Sequence, residues 1–122
     1  MKKGSSIVYV ASVGGFLPFP MIGAYSISKT ALFGLTRTMS MELAPQGIRV
    51  NCLAPGLIQT DFSQYLWERK EYMEDFMKTV PMGRMGQPHE MAGTVSFLCS
   101  EDEASYLTGE NIANTGGMQA HL

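Results

Sequence analysis

A β-branched run, Ile7-Val8-Tyr9-Val10, is followed by a loop rich in glycine and proline, a long stretch of helical periodicity, and a second β-type run from Ile48 to Leu53. Two such runs joined through a helix describe a crossover between parallel strands. The first strand is expected from about Ser6 to Ala11, with the loop continuing through Pro20. The helix is expected from about Ala24 to Ala44, its apolar face carried by Ile27, Ala31, Leu32, Leu35, Met39 and Leu43 at spacings of three to four. Pro45-Gln46-Gly47 stops it, Gly47 suiting a left-handed turn. Pro55-Gly56 ends the second strand.

Further along, Asp61 to Met77 is helical in composition but mixed in its faces, with Phe62, Tyr65, Leu66, Trp67, Tyr72, Met73, Phe76 and Met77. It reads either as a lid over a pocket or as a surface helix docked on the core. Pro88 opens a helix from Glu90 to Cys99 with Met91, Val95 and Leu98 on one face. Tyr106-Leu107-Thr108-Gly109 forms a turn, and Asn111 to Asn114 a short last strand ended by Gly116-Gly117. Strand, helix, strand, helix, helix, strand is an α/β organisation with a parallel sheet.

With 122 residues the chain is one domain at most. A 45% hydrophobic and 16% charged composition fits a packed core. The net charge of −2, without a basic run, argues against a nucleic-acid partner. No stretch holds the roughly 18 uninterrupted apolar residues that a membrane helix needs. Met1-Lys2-Lys3 before an apolar stretch imitates a leader peptide, but Gly14-Gly15, Pro18 and Pro20 break it, and the β-branched run reads better as a strand. The ten methionines fit gap-filling roles in a core. Cys52 and Cys99 are expected as two buried thiols in a reducing compartment. His89, expected as a solvated first-turn residue, and His121 have no partners at metal-ligand spacing, so no metal site is expected.

The residues with chemical potential are Ser12, Tyr25 and Lys29. Tyr25 and Lys29 stand four apart, on one helix face, with Ser12 thirteen residues ahead of Tyr25 at a strand end. A unit charge about 4 Å from a phenol oxygen, at an effective dielectric of about 20, contributes roughly 4 kcal/mol. That is enough to bring a phenol into use as an acid or base near neutral pH. Each residue also has a plain structural reading. The Tyr25–Lys29 pair can be a solvated pair on a helix face, Ser12 a strand-end turn serine, and Pro55-Gly56 an ordinary turn.

Taken in order, the blocks resemble the short-chain dehydrogenase/reductase family across nearly the whole chain. They are the strand ending in Ser12, Tyr25-x-x-x-Lys29, Arg49-Val50-Asn51-x-x-x-Pro55-Gly56-x-x-x-Thr60, Gly86-x-Pro88, Phe97-Leu98, and Ser105-Tyr106-Leu107-Thr108-Gly109 with Gly116-Gly117. The resemblance implies a Rossmann-like doubly wound parallel sheet. It implies NADP(H), with NAD(H) as the alternative, and reduction of small ketone and aldehyde carbonyls, aromatic ketones and retinal-like compounds among them. Tyr25 would then be the acid/base at the substrate oxygen. Lys29 would favour its phenolate and hold the nicotinamide ribose, and Ser12 would hydrogen-bond the carbonyl. Pro55 and Gly56, with Ile58 and Thr60, would contact the nicotinamide, and Tyr25 and Lys29 would also touch the cofactor.

The chain departs from the family pattern at its start. Nothing of the form Gly-x-x-x-Gly-x-Gly precedes Ser6, and Gly14-Gly15 follows the wrong strand. The residue that selects between the two cofactors and the family's catalytic asparagine are missing too. Residues 1–122 are therefore expected to form a partial domain, the C-terminal half from the fifth strand onward, without the dinucleotide-binding half. The strand Ile7 to Val10 would then lie at a sheet edge, with unpaired amides. Such a chain is expected to be inactive alone, and the alternative is a non-catalytic remnant that associates with full-length relatives. In the family, the Tyr25 helix and the last helix and strand commonly face neighbouring subunits, so a homo-oligomer is the other expected assembly. Ala120-His121-Leu122 follows the small–basic–leucine pattern of a peroxisomal address, with a cytoplasmic remainder expected because histidine is a poor cation near neutral pH.

Overall fold

The computed structural model describes residues 1–118. Strand β1 (Ser6–Val10) leads through a short 3-10 turn, Val13–Gly15, into helix α1 (Gly23–Leu43). A second 3-10 turn (Ala44–Gln46), closed by Gly47 in the left-handed region at φ 72°, leads to β2 (Arg49–Pro55). Beyond β2 come a 3-10 turn (Asp61–Ser63), α2 (Gln64–Trp67), α3 (Lys70–Met77), α4 (Pro88–Cys99) and β3 (Asn111–Asn114). The three strands form one parallel sheet in the order β1-β2-β3. Ser6 to Val10 stand opposite Arg49 to Leu53, and Cys52 to Pro55 opposite Asn111 to Asn114. The expected α/β fold with a parallel sheet is what forms. β2 runs to Pro55, past the expected Leu53, because β3 continues the ladder along its last residues.

Burial follows from β2 being central, and Val50 to Ala54 are all buried. Alternation along the strands sends Tyr9, Cys52 and Ala54 to one face, where they pack with Phe33 of α1. The opposite face carries Ser6 and Arg49. The Ser6 hydroxyl donates to the Leu98 carbonyl of α4 (3.0 Å), and the Arg49 guanidinium to the Ser100 carbonyl (3.1 Å). Helices thus cover both faces, as a parallel sheet requires.

Three sequence expectations change. Half of the apolar stripe expected to dock α1 is open to water, with Ile27 73% and Leu35 41% exposed, while Leu32 packs against the core. The helix rests on the sheet through Phe33, Thr36 and Ser40. The Thr36 hydroxyl donates to the Leu32 carbonyl (2.7 Å) and that of Ser40 to the Arg37 carbonyl (2.8 Å), so these small polar residues can be buried without losing hydrogen bonds. Cys52 is buried, and burial pushes its thiol up, but Cys99 is exposed at the end of α4. The single helix considered for Asp61 to Met77 is broken into a 3-10 turn and two helices.

At α4, Glu90 does the capping. Its carboxylate accepts the Gln87 N–H (2.8 Å) and is gripped by both Arg84 terminal nitrogens (2.8 and 2.7 Å). The Arg84 hydrogen bond, then that from Gln87, lowers its pKa to about 2. His89 is exposed in the first turn of this helix, as expected. Among the described residues no helix is long and apolar enough to cross a membrane, and no cluster of metal-ligating side chains is found.

Candidate active site

The carboxyl ends of β1 and β2 open onto the same space, where open α/β sheets bind ligands. Past β1, the Ala11 N–H still donates to the Leu53 carbonyl (2.8 Å), which holds Ser12 at the sheet edge. Ser12 caps the Val13–Gly15 turn. Its Oγ accepts the Gly14 N–H at 3.1 Å, and its carbonyl accepts the Gly15 N–H at 2.9 Å. A hydroxyl that accepts in this way keeps its own hydrogen to donate.

Tyr25 lies in the first turn of α1 and Lys29 one turn further on. The Lys29 ammonium is 5.6 Å from the centroid of the Tyr25 ring, within cation–π reach, and donates to the Val10 carbonyl at 3.1 Å. One of its three N–H groups is used by that bond.

From β2, Gly56 donates to the Asn114 carbonyl (3.0 Å), and a Cβ there would lie 2.9 Å from the Thr115 Cα. Only glycine lets β2 turn this close to the end of β3. Ile58 forms an isolated bridge with Gly86. Thr60 and Ser63 cap each other: the Ser63 N–H donates to the Thr60 Oγ1 at 3.3 Å and the Thr60 N–H to the Ser63 Oγ at 3.1 Å. The Trp67 indole N–H donates to the Thr60 carbonyl at 3.1 Å and ties α2 to this loop.

Ser12, Tyr25, Lys29, Pro55, Gly56, Ile58 and Thr60 all line one cavity of about 650 Å³. The volume lies within the usual range for small-molecule sites. Its far wall is apolar, built by Phe62, Leu66, Tyr72 and Phe76 from the segment read as a lid or docked helix. The Phe62 ring stands 6.5 Å from that of Tyr25, centroid to centroid. Phe19, Ile22 and Met91 also line the cavity and were not picked out as site residues. The cue was the cluster Phe16-Leu17-Pro18-Phe19-Pro20, unusually aromatic for a surface loop. Among the described residues, Lys29 is the one charged group that lines the cavity.

Comparisons with known proteins bear on the sequence and the fold. A family described as "Enoyl-(Acyl carrier protein) reductase" matches residues 1–119. Dehydrogenase/reductase SDR family member 4 of Sus scrofa is 55% identical over 124 residues, covering 99% of this chain and 43% of that protein. The Homo sapiens protein of the same name is 54% identical over 121 residues, again with 99% and 43% covered. The chain therefore spans less than half the length of these relatives. Among solved structures, a gluconate 5-dehydrogenase from Burkholderia cenocepacia in complex with NADP and tartrate superposes with a TM-score of 0.91 at 31% identity, over 98% of this chain and 47% of that one. A 4-hydroxyisoleucine dehydrogenase complexed with NADH gives 0.89 at 36% identity, over 96% and 48%. In sequence and in fold, the chain belongs to the short-chain dehydrogenase/reductase family of oxidoreductases and covers about half of that Rossmann-like fold.

Proposed function

We propose that this chain carries the catalytic half of an NADP(H)-dependent carbonyl reductase, with Ser12, Tyr25 and Lys29 as its reacting groups. The observation that carries this is the meeting of those three side chains with Pro55, Gly56, Ile58 and Thr60 on one apolar cavity. The donor set fits the nicotinamide–ribose end of the cofactor. After its bond to the Val10 carbonyl, the Lys29 ammonium has two hydrogens for ribose hydroxyls, and Pro55 and Gly56 line the same cavity. Among the described residues there is no glycine-rich strand-to-helix turn for a pyrophosphate. When bound, the nicotinamide supplies hydride to the carbonyl carbon.

The chain's own residues do the rest. Ser12 donates its hydroxyl hydrogen to the carbonyl oxygen and orients it. Tyr25 delivers the proton that this oxygen needs as charge develops on it. Lys29 stabilises the phenolate left behind.

Titration with NADPH tests this reading. Micromolar binding is expected once the chain is joined to the amino-terminal part of the Sus scrofa relative, and no measurable binding or reduction from the 122 residues alone. Absence of binding in the joined protein would refute it. It would favour the second reading, a non-catalytic chain that associates with full-length relatives. That reading draws on β1 being a sheet edge with Val10 51% exposed.

Peroxisomal residence with a cytoplasmic remainder is part of the same proposal. The tail Ala120-His121-Leu122 that suggests it lies outside the described residues. A fluorescent protein ending in residues 116–122 is expected to show partial import, lost when Leu122 is removed. Diffuse fluorescence from both would end the claim.

A further inference from the structure

The loop that carries Ser12 is fastened to the helix that carries Tyr25 and Lys29, and one fastener is a hydroxyl. Ser12 caps the Val13–Gly15 turn, so wherever that turn sits, the Ser12 hydroxyl sits with it. The turn lies directly on α1. A Cβ on Gly15 would be 2.8 Å from the Phe33 ring and 3.1 Å from the Lys29 carbonyl carbon. Phe16 stacks on Phe33 with ring centroids 4.1 Å apart. These contacts hold the turn down, but they are apolar and do not fix its register along the helix. Two polar ties add direction: the Lys29 ammonium holds the Val10 carbonyl ahead of Ser12 at 3.1 Å, and Thr30 holds the turn itself. The Thr30 Oγ1 is 2.9 Å from the Gly15 carbonyl and 2.8 Å from the Ser26 carbonyl of its own helix, the residue after Tyr25. The neighbouring hydroxyl of Ser26 is buried without a partner and pins nothing.

We propose that Thr30 is a positioning residue. By sharing its one hydrogen between the Gly15 and Ser26 carbonyls, its hydroxyl ties the Ser12 turn to α1 and so helps to set where the Ser12 hydroxyl stands relative to the Tyr25 phenol. This rests on Ser12 and Tyr25 being the pair that acts on one substrate oxygen. Two donors meeting on a single atom are sensitive to small displacements, and a shift of about 1 Å can cost roughly a hundredfold in rate. Thr30 is exposed, so changing it leaves the core intact.

The test uses the chain joined to the amino-terminal part of the Sus scrofa relative. Thr30→Val and Thr30→Ala remove the hydroxyl, Thr30→Ser keeps it, and the alanine variant retains full helix propensity should valine fold poorly. In Thr30→Val and Thr30→Ala, kcat is expected to fall about tenfold with KM within about twofold of the parent, while Thr30→Ser stays within about twofold on both. Without nucleotide, amide exchange across residues 14–17 is expected to quicken in the valine and alanine variants alone. Tyr25→Phe is measured beside them. If Tyr25→Phe keeps its turnover, the site assignment itself is wrong. If Tyr25→Phe is inactive but Thr30→Val shows parental kcat or parental exchange, or if Thr30→Ser is as slow as Thr30→Val, the positioning role is overturned.

Discussion

Tyr25→Phe is expected to lower kcat for carbonyl reduction by roughly a thousandfold, the scale of a lost general acid. The expectation applies to the chain joined to the amino-terminal part of the Sus scrofa relative. The substitution removes one oxygen and leaves the ring, with its neighbours Phe62 at 6.5 Å and Lys29 at 5.6 Å. No hydrogen bond from the Tyr25 hydroxyl to another described residue is broken, so the thermal midpoint should not move. Tyr65 and Tyr72 also line the cavity but belong to the opposite wall, and the Tyr65 hydroxyl already receives a hydrogen bond from Arg69. Tyr65 lies on α2 and Tyr72 on α3, away from the first turn of α1 that carries Tyr25. Initial rates with an aromatic ketone and NADPH decide the matter. Turnover within about tenfold of the parent would remove Tyr25 from the mechanism.

How much of this was readable from the sequence depended on which physical signal each element carries. β1 and β3 fall within a residue of where composition places them, because β-branched and asparagine-bounded runs are local signals. The turn glycines at 47, 116 and 117 have positive φ, as their positions after a helix and a strand suggest. The buried face of α1 was not readable. Periodicity counts apolar residues, whereas this helix lies on the sheet through Thr36 and Ser40, whose hydroxyls are satisfied within the helix. The turn before β3 comes close enough that a Cβ on Gly109 would be 2.8 Å from the Ser40 Oγ, which favours a small residue there. The residues that the family resemblance points to, Ser12, Tyr25, Lys29, Pro55, Gly56, Ile58 and Thr60, line one cavity. The Phe62, Tyr72 and Phe76 wall could be suspected as a lid or a docked helix. Phe19 and Met91 could not be placed, because their approach to the cavity depends on how a long loop and α4 fold over it.

Asn51→Leu is expected to cost about 2 kcal/mol of stability, chiefly from the Glu110 N–H left without its acceptor at about 1–3 kcal/mol, since the Leu107 carbonyl keeps the Arg49 guanidinium at 3.4 Å. Asn51 is fully buried in the central strand. Its Nδ2 donates to the Leu107 carbonyl (2.9 Å), and its Oδ1 accepts the Glu110 N–H (3.1 Å). The β2–β3 ladder starts only at Cys52, so ahead of it the strand is flanked by the approach to β3. That approach is held by Asn51, by the Val50 N–H donating to the Thr108 hydroxyl (3.0 Å), and by the Gly109 N–H donating to the Val50 carbonyl (2.7 Å). Leucine matches the branched, four-heavy-atom side chain of asparagine, so the loss should come from the lost hydrogen bonds more than from a cavity. It should appear as a lower urea midpoint with an unchanged slope, and as faster amide exchange at residues 107–110. The same asparagine aligns β3, whose Asn114 carbonyl receives the Gly56 N–H at the cavity floor. Nicotinamide binding should therefore weaken alongside stability. A loss below about 0.5 kcal/mol, the range of an ordinary surface change, would mean that β3 is held by its ladder and not by this side chain.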